Sequence, residues 1–164
     1  VFLDKTLTYT SSQNGNISLL WKNGTDFSYF GRVSPPDGEI GEWTTPFVVS
    51  DGEIHVGYGN LYNVNLDNLG YKMSNFGNAP GKNFPAPITA LDMEFKIGKE
   101  IYLAKRGYLK SNIPSEVWTS DDKGGTWKKR TKGLPNHLYP SYIEMNQAKP
   151  SEAWITFSGF DSRK

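Results

Sequence analysis

At 164 residues the chain is long enough for one core of useful size, and a single domain spanning 1–164 is expected. It has no cysteine, which removes disulfides, thiol catalysis and cysteine-ligated zinc, and a net charge of +1 argues against a dedicated nucleic-acid binder. Aromatic residues make up 14%, and glycine and proline interrupt each stretch where an i, i+3, i+4 apolar pattern begins, so the prediction is an all-β chain of short strands and tight turns.

Taken in order, residues 7–12 and 17–21 read as strands around a turn at 13–16, and 27–30 resumes strand character after a turn at 22–26. A loop over 33–38 leads to a strand over 42–49, with Pro46 suggesting a bulge or an irregular start. Strands at 53–58, 61–66 and 71–76 follow, separated by glycine- and asparagine-bearing turns. Residues 77–87 are a Pro/Gly/Asn loop. Then 88–95 alternates cleanly, turns at 97–99 and is answered by 100–104. A loop over 106–115 precedes two β-like runs, 116–119 and 127–131, and the last strands are 142–145 and 153–157. The chain opens at Val1 on strand-like sequence with no leader or membrane-spanning run, which reads as a segment of something longer.

The most informative stretch lies between the runs at 116–119 and 127–131. There Ser120, Asp122, Gly124, Thr126 and Trp127 form Ser-x-Asp-x-Gly-x-Thr-Trp. Ser120 and Asp122 can accept turn amides, Gly124 and Gly125 can supply positive φ, and Trp127 can lay its ring over the turn. This resembles the Asp-box (BNR) repeat of β-propellers. Lys22 and Asp67 fall at equivalent places, 45 and 55 residues apart, in copies that have lost several box residues. On that resemblance the chain divides into four-stranded blades at 41–76 and 87–131, with partial blades at 1–33 and 139–164. Propellers close at about 4–8 blades, so these would be part of a larger ring. The stretches 41–50, 56–62, 87–91 and 153–161 are similar to sortilin/VPS10-like propellers, and to those in large secreted cell-surface proteins of Bacteroidota exported by the type IX system. The resemblance implies an extracellular or surface location and a binding or display role. It implies a protein or glycan ligand and the rest of a larger propeller as partners, and no cofactor, no nucleic acid and no membrane insertion.

In a blade of this topology the box turns share one end of the sheets with the first-to-second-strand loops. Longer loops gather at the opposite end. Phe84, Arg106, Tyr108, Lys110, His137, Tyr139, Phe160, Asp161 and Arg163 fall there, and aromatic and arginine side chains on loops suit stacking and hydrogen bonding to a glycan or protein. The alternative is part of a glycoside hydrolase acting on polysaccharide or sialoglycans. A hydrolase needs two opposed carboxylates, for which Asp92 and Asp161 are the candidates. A sialidase needs an arginine cluster, and the chain has only Arg32, Arg106, Arg130 and Arg163. His55 and His137 lack metal-ligand spacing, and Asp121-Asp122 lacks the rest of a calcium loop, so no metal is expected. The basic run Lys128, Lys129, Arg130 and Lys132 reads as a charged edge strand that blunts aggregation.

Overall fold

The computed structural model describes residues 6–39, 41–50, 53–67, 70–75, 87–94, 99–107, 112–136 and 138–159. Among them are β1 (Thr6–Ser11), β2 (Ile17–Asn23), β3 (Asp26–Val33), β4 (Phe47–Ser50), β5 (Glu53–Gly57), β6 (Leu61–Asp67) and β7 (Gly70–Asn75). They continue with β8 (Ile88–Glu94), β9 (Glu100–Lys105), β10 (Glu116–Ser120), β11 (Lys128–Lys129), β12 (Tyr139–Met145) and β13 (Ala153–Ser158). The chain is all-β, as its composition predicts. The described residues contain no α-helix, only a 3-10 turn at Gln13–Gly15.

The strands form four small antiparallel sheets in chain order: β1-β2-β3, β4-β5-β6-β7, β8-β9-β10-β11 and β12-β13. Each is a meander, because two-stranded antiparallel pairs need only short connections and strands close in sequence pair first. Alternation sets the faces. In β12, Ile143 and Met145 are buried while Tyr142 and Glu144 face solvent.

Each sheet packs on the next. Ile17 and Leu19 of β2 meet Ile54, Val56 and Val64 of the second sheet. Leu61 of β6 meets Ile88, Leu91, Met93, Ile101 and Leu103 of the third. Ala90, Ala104 and Val117 of the third meet Ile143, Ala153 and Ile155 of the fourth. Each fully buried aliphatic side chain contributes about 1.5–3 kcal/mol, so these three layers supply the main hydrophobic stabilisation. β8 serves two of them: Leu91 and Met93 turn to the second-sheet side, while Ala90 and Asp92 turn to the fourth.

The register divides the third sheet into two ends. Ile88, Lys105 and Glu116 lie together at one end, and Glu94, Glu100 and Ser120 at the other. The turn over residues 120–127 therefore sits at the end away from the loops 106–115 and 130–138.

Several local expectations are corrected. The strand expected from Glu42 begins only at Phe47. Thr45 Oγ1 donates to the Glu42 carbonyl at 2.9 Å and closes a turn, and Pro46 has no N–H for a ladder. The run 127–131 forms ladder pairs at Lys128 and Lys129, and beyond them the Arg130 amide donates to the Val117 carbonyl at 2.8 Å while Thr131 Oγ1 accepts the Val117 amide at 3.1 Å. Positive φ falls on Lys123 (57°) and Gly124 (83°) rather than on Gly124 and Gly125. Gly125 is needed for space instead, since a Cβ there would stand 3.2 Å from an Asp122 carboxylate oxygen. Lys22 does not mark a turn of the same build: it pairs with Phe27 inside its ladder, and Asn23 pairs with Asp26 in a two-residue hairpin, while the turn residues after Asp67 lie outside the described residues.

Candidate binding cleft at the loop end

The loops at the end opposite residues 120–127 are tied to one another across sheet boundaries. Tyr58, after β5, donates its hydroxyl to the Gly15 carbonyl at 2.8 Å. Gly15 and Gly41 approach so closely that a Cβ on Gly41 would lie 2.6 Å from the Gly15 Cα. Glu39, in the β3–β4 loop, accepts from the Asn60 side chain at 2.6 Å and the Tyr62 hydroxyl at 2.7 Å. Lys105, the last residue of β9, sends Nζ back to the Gly59 carbonyl at 2.5 Å. Ser115 Oγ donates to the Leu138 carbonyl at 2.5 Å and accepts from the Gly107 amide at 2.9 Å. These bonds link loops of all four sheets into one platform.

Two of the described charged groups at this end, Lys105 and Glu42, are buried. Lys105 is fully buried, and burial draws its ammonium down to about 8, against the pull of Glu39 and Glu116, which favour the charged form. Burial raises the Tyr62 hydroxyl to about 12, assisted by its bond to Glu39. Glu42 is 5% exposed, and its Oε1 lies 3.0 Å from Nε of Arg106, the expected loop residue after β9. The two atoms are close without the alignment of a hydrogen bond, so the contact is a charge pair. Tyr139 stands beside it. Its hydroxyl is raised by burial and by Glu42, and Arg106 opposes the rise.

Next to this pair, the first strands of the last three sheets converge with the end of β1 on a cleft of about 490 Å³. Its floor is Pro46, Phe47, Ala90, Leu91 and Ile143 with the buried Thr45 and Thr89, and its rim carries Ser11, Thr44, Ser141, Tyr139 and Tyr142. Among the described residues no charged side chain lines it. β4, β8 and β12 are edge strands, so each has one side without a ladder partner in its own sheet.

The loop-end candidates therefore divide. Arg106 and Tyr139 are brought together, at the cleft's mouth and rim. Phe84, Tyr108, Lys110, His137, Phe160, Asp161 and Arg163 lie outside the described residues. Asp92 is in β8, where one carboxylate oxygen accepts the Met93 amide at 2.8 Å and the other the Met145 amide of β12 at 2.7 Å. It ties the third sheet to the fourth. Arg130, whose amide donates to the Val117 carbonyl, lines a second cavity, of about 560 Å³, with Tyr102, Leu134 and Ile155, whereas Arg106 pairs with Glu42. His55 is fully buried in β5. No group of three or more potential metal ligands occurs among the described residues, and none of the described helical turns is long and apolar enough to cross a membrane.

Sequence reasoning missed Glu39, Glu42, Lys105 and most of the cleft rim. Glu39 follows a Pro/Gly loop with no motif, Glu42 reads as the first residue of a strand, and Lys105 closes an otherwise ordinary strand. Only the hydroxyl-rich strand starts, Thr44-Thr45 and Thr89, were visible, and alternation alone reads those as β-propensity.

The opposite end is built for folding. Ser120 Oγ accepts the Gly124 amide at 2.8 Å and donates to Asp122 at 2.8 Å. Asp122 accepts the Thr126 amide at 2.8 Å and its hydroxyl at 2.7 Å. Trp127 donates Nε1 to the Gly124 carbonyl at 3.1 Å and packs on the core under the third sheet. The Thr126 amide, then its hydroxyl, then Ser120 pull the Asp122 carboxyl down to about 2. Asp121 is engaged by Lys128 at 2.6 Å. Both carboxylates are thus satisfied by protein groups.

No family model matches this chain, and neither does any curated protein or solved structure.

Proposed function

We propose that this chain is a segment of an Asp-box β-propeller, secreted or displayed at a cell surface, that acts as a binding scaffold for a protein or glycan. The observation that carries the reading is the uncharged, hydroxyl-rimmed cleft where β4, β8 and β12 converge, at the end of the sheets with the cross-linked loops. A rigid rim of tied loops holds contact groups at low entropic cost, which is what a recognition surface needs. The propeller reading draws support from two four-stranded meanders packed face to face in chain order and from the side-chain-closed turn at 120–127. Exposed Phe27 and Tyr29 on β3 and Trp154 on β13 give the outer sheets apolar groups that neighbouring blades would cover.

The experiment is a binding screen of the purified chain against immobilised extracellular proteins and a glycan array. The screen is repeated with Arg106→Ala and Tyr139→Ala, and with Lys128→Ala/Lys129→Ala at the far end. The proposal expects a ligand whose affinity falls about tenfold or more in the first two variants, as for a central contact, and is unchanged in the last. Equal binding by all of them would remove the loop end as the site.

A further inference from the structure

Resting on that reading, we infer that the cleft's ligand is an uncharged saccharide. The first argument is the balance of charge. Among the described residues the cleft lining carries no ionised side chain, and the pair at its mouth, Glu42 and Arg106, is neutral overall. An ionised ligand group entering here would lose its hydration with no counter-charge among these residues to replace it, which is costly. A carboxylated or sulfated sugar is therefore disfavoured, as is a peptide segment with charged side chains.

The second argument is the kind of polar group present. Hydroxyls of Ser11 and Thr44 lie on the exposed rim, where each can both donate and accept, and the Ser141 hydroxyl beside them shares a 3.1 Å bond with that of Thr156. Thr45 and Thr89 already donate to backbone carbonyls, at 2.9 and 3.4 Å, and keep lone pairs as acceptors. β4, β8 and β12 are edge strands with further backbone amides and carbonyls, of which the Ile88, Met93 and Met145 amides are already taken by the Tyr58 carbonyl and the Asp92 carboxylate. Sugar hydroxyls are likewise donor and acceptor at once. They can match such a mixed set from several orientations, and a purely apolar ligand would leave it unsatisfied.

The third argument is the apolar part. Pyranose rings present faces of C–H groups, which need flat apolar partners. Tyr142 lines the cleft and is 56% exposed, with its hydroxyl held by Glu144, and Tyr139 lines the same rim. Trp43, the neighbour of Thr44 in the chain, is 64% exposed. The floor of Phe47, Leu91 and Ile143 is apolar, and the volume of about 490 Å³ lies in the range of small-molecule sites.

The test titrates the 164-residue chain calorimetrically with a panel of neutral oligosaccharides (cello-, manno-, xylo-, laminari- and malto-oligosaccharides). Oligogalacturonate is the charged counterpart, and a tyrosine- and serine-rich neutral peptide is the protein-like probe. The expected result is binding of at least one neutral sugar with a Kd below about 5 mM and weaker binding of oligogalacturonate. Tyr142→Ala should weaken that affinity about tenfold, and Ser141→Trp, which fills the rim, should abolish it. Both positions are exposed, so unchanged thermal unfolding is expected and separates lost binding from lost folding. The inference falls if no neutral sugar binds, if oligogalacturonate or the peptide binds more tightly, or if both variants keep wild-type affinity. If the saccharides fail while a protein ligand still depends on Arg106 and Tyr139, the scaffold reading stands and only the ligand class is overturned. If neither dependence is found, both fall.

Discussion

Asp122 has a carboxyl lowered from 3.8 to about 2 by the Thr126 and Ser120 bonds. A depressed carboxyl contributes stability that is present above its unfolded value and is lost as pH falls through the folded one. The chain should therefore weaken between about pH 4 and pH 2 through this group. Asp122→Asn should be less stable at neutral pH and should converge with the wild type near pH 2 in urea titrations followed by tryptophan fluorescence. Ser120 is 2% exposed and bonds both Asp122 and the Gly124 amide, so Ser120→Ala strands a buried amide and should cost about 1–3 kcal/mol. His55 behaves in a related way inside β5. Burial, the largest influence, lowers its pKa, and Lys123 adds to this, while Glu53 and a backbone bond at Ser50 oppose it. Its neutral form is the folded form. Stability is then full above 6.5 and declines as pH drops through the lowered value. His55→Leu should flatten the fall in urea midpoint between pH 7 and pH 5.

At the scale of the element, the β10–β11 hairpin is held more by its turn than by its ladder, which has two residue pairs. Its edge strand is shielded by charge: Lys129 pairs with Glu116 and lies 5.7 Å over the Trp118 ring, while Lys128 pairs with Asp121. The basic run thus works as an edge that repels further strands. The left-handed positions in the turn make a sharp prediction. Gly124→Ala forces a Cβ into a conformation that costs about 1–2 kcal/mol. Lys123→Gly removes the same strain at φ 57°, partly offset by the extra freedom of glycine in the unfolded chain, and should leave stability equal or raised by up to about 1 kcal/mol. Thermal unfolding of the two variants checks the opposite signs.

For the whole molecule, the loop-end platform joins sheets that share no ladder. Lys105 and Arg106 reach from the third sheet to Gly59 in the second and to Glu42 in the β3–β4 loop. Removing Arg106 leaves a carboxylate at 5% exposure beside lost charge, so Arg106→Ala should cost about 2–3 kcal/mol. Arg106→Ala/Glu42→Gln should recover part of that in a double-mutant cycle. Lys105 is protonated more readily in the unfolded chain than in the fold, because its folded value is about 8 against 10.5. The unfolded state binds more protons over that interval, so this group makes stability rise with pH from about 8 towards 10.5. Lys105→Met should lack this rise, and the difference in urea midpoint between it and the wild type should change steadily from pH 7.5 to pH 9.5.

What the sequence determined by itself is what neighbouring residues decide among themselves. Alternation and frequent breakers made the chain all-β, and the spacing from Ser120 to Trp127 specified a turn closed by the local side-chain bonds of Ser120, Asp122, Thr126 and Trp127. Strand positions were legible wherever apolar alternation ran clean, as in β8 and β9. Where side chains and proline compete with the ladder the sequence misled: Thr45 and Pro46 delay β4 to Phe47, and the hairpin at Asn23 closes in two residues with Lys22 inside its ladder. The loop-end site was half legible. Arg106 and Tyr139 could be placed there from topology, but Glu39, Glu42 and Lys105 could not. Their partners lie 21 to 64 residues away in the chain, across sheet boundaries, and only packing of sheet on sheet brings them within hydrogen-bonding or ion-pairing distance. The cleft arises in the same way. Each strand start contributes one or two unremarkable residues, and a concave, uncharged surface exists only once β4, β8 and β12 stand side by side. Local bonds can be read from a chain of residues, whereas a surface made by convergence is decided by the tertiary fold.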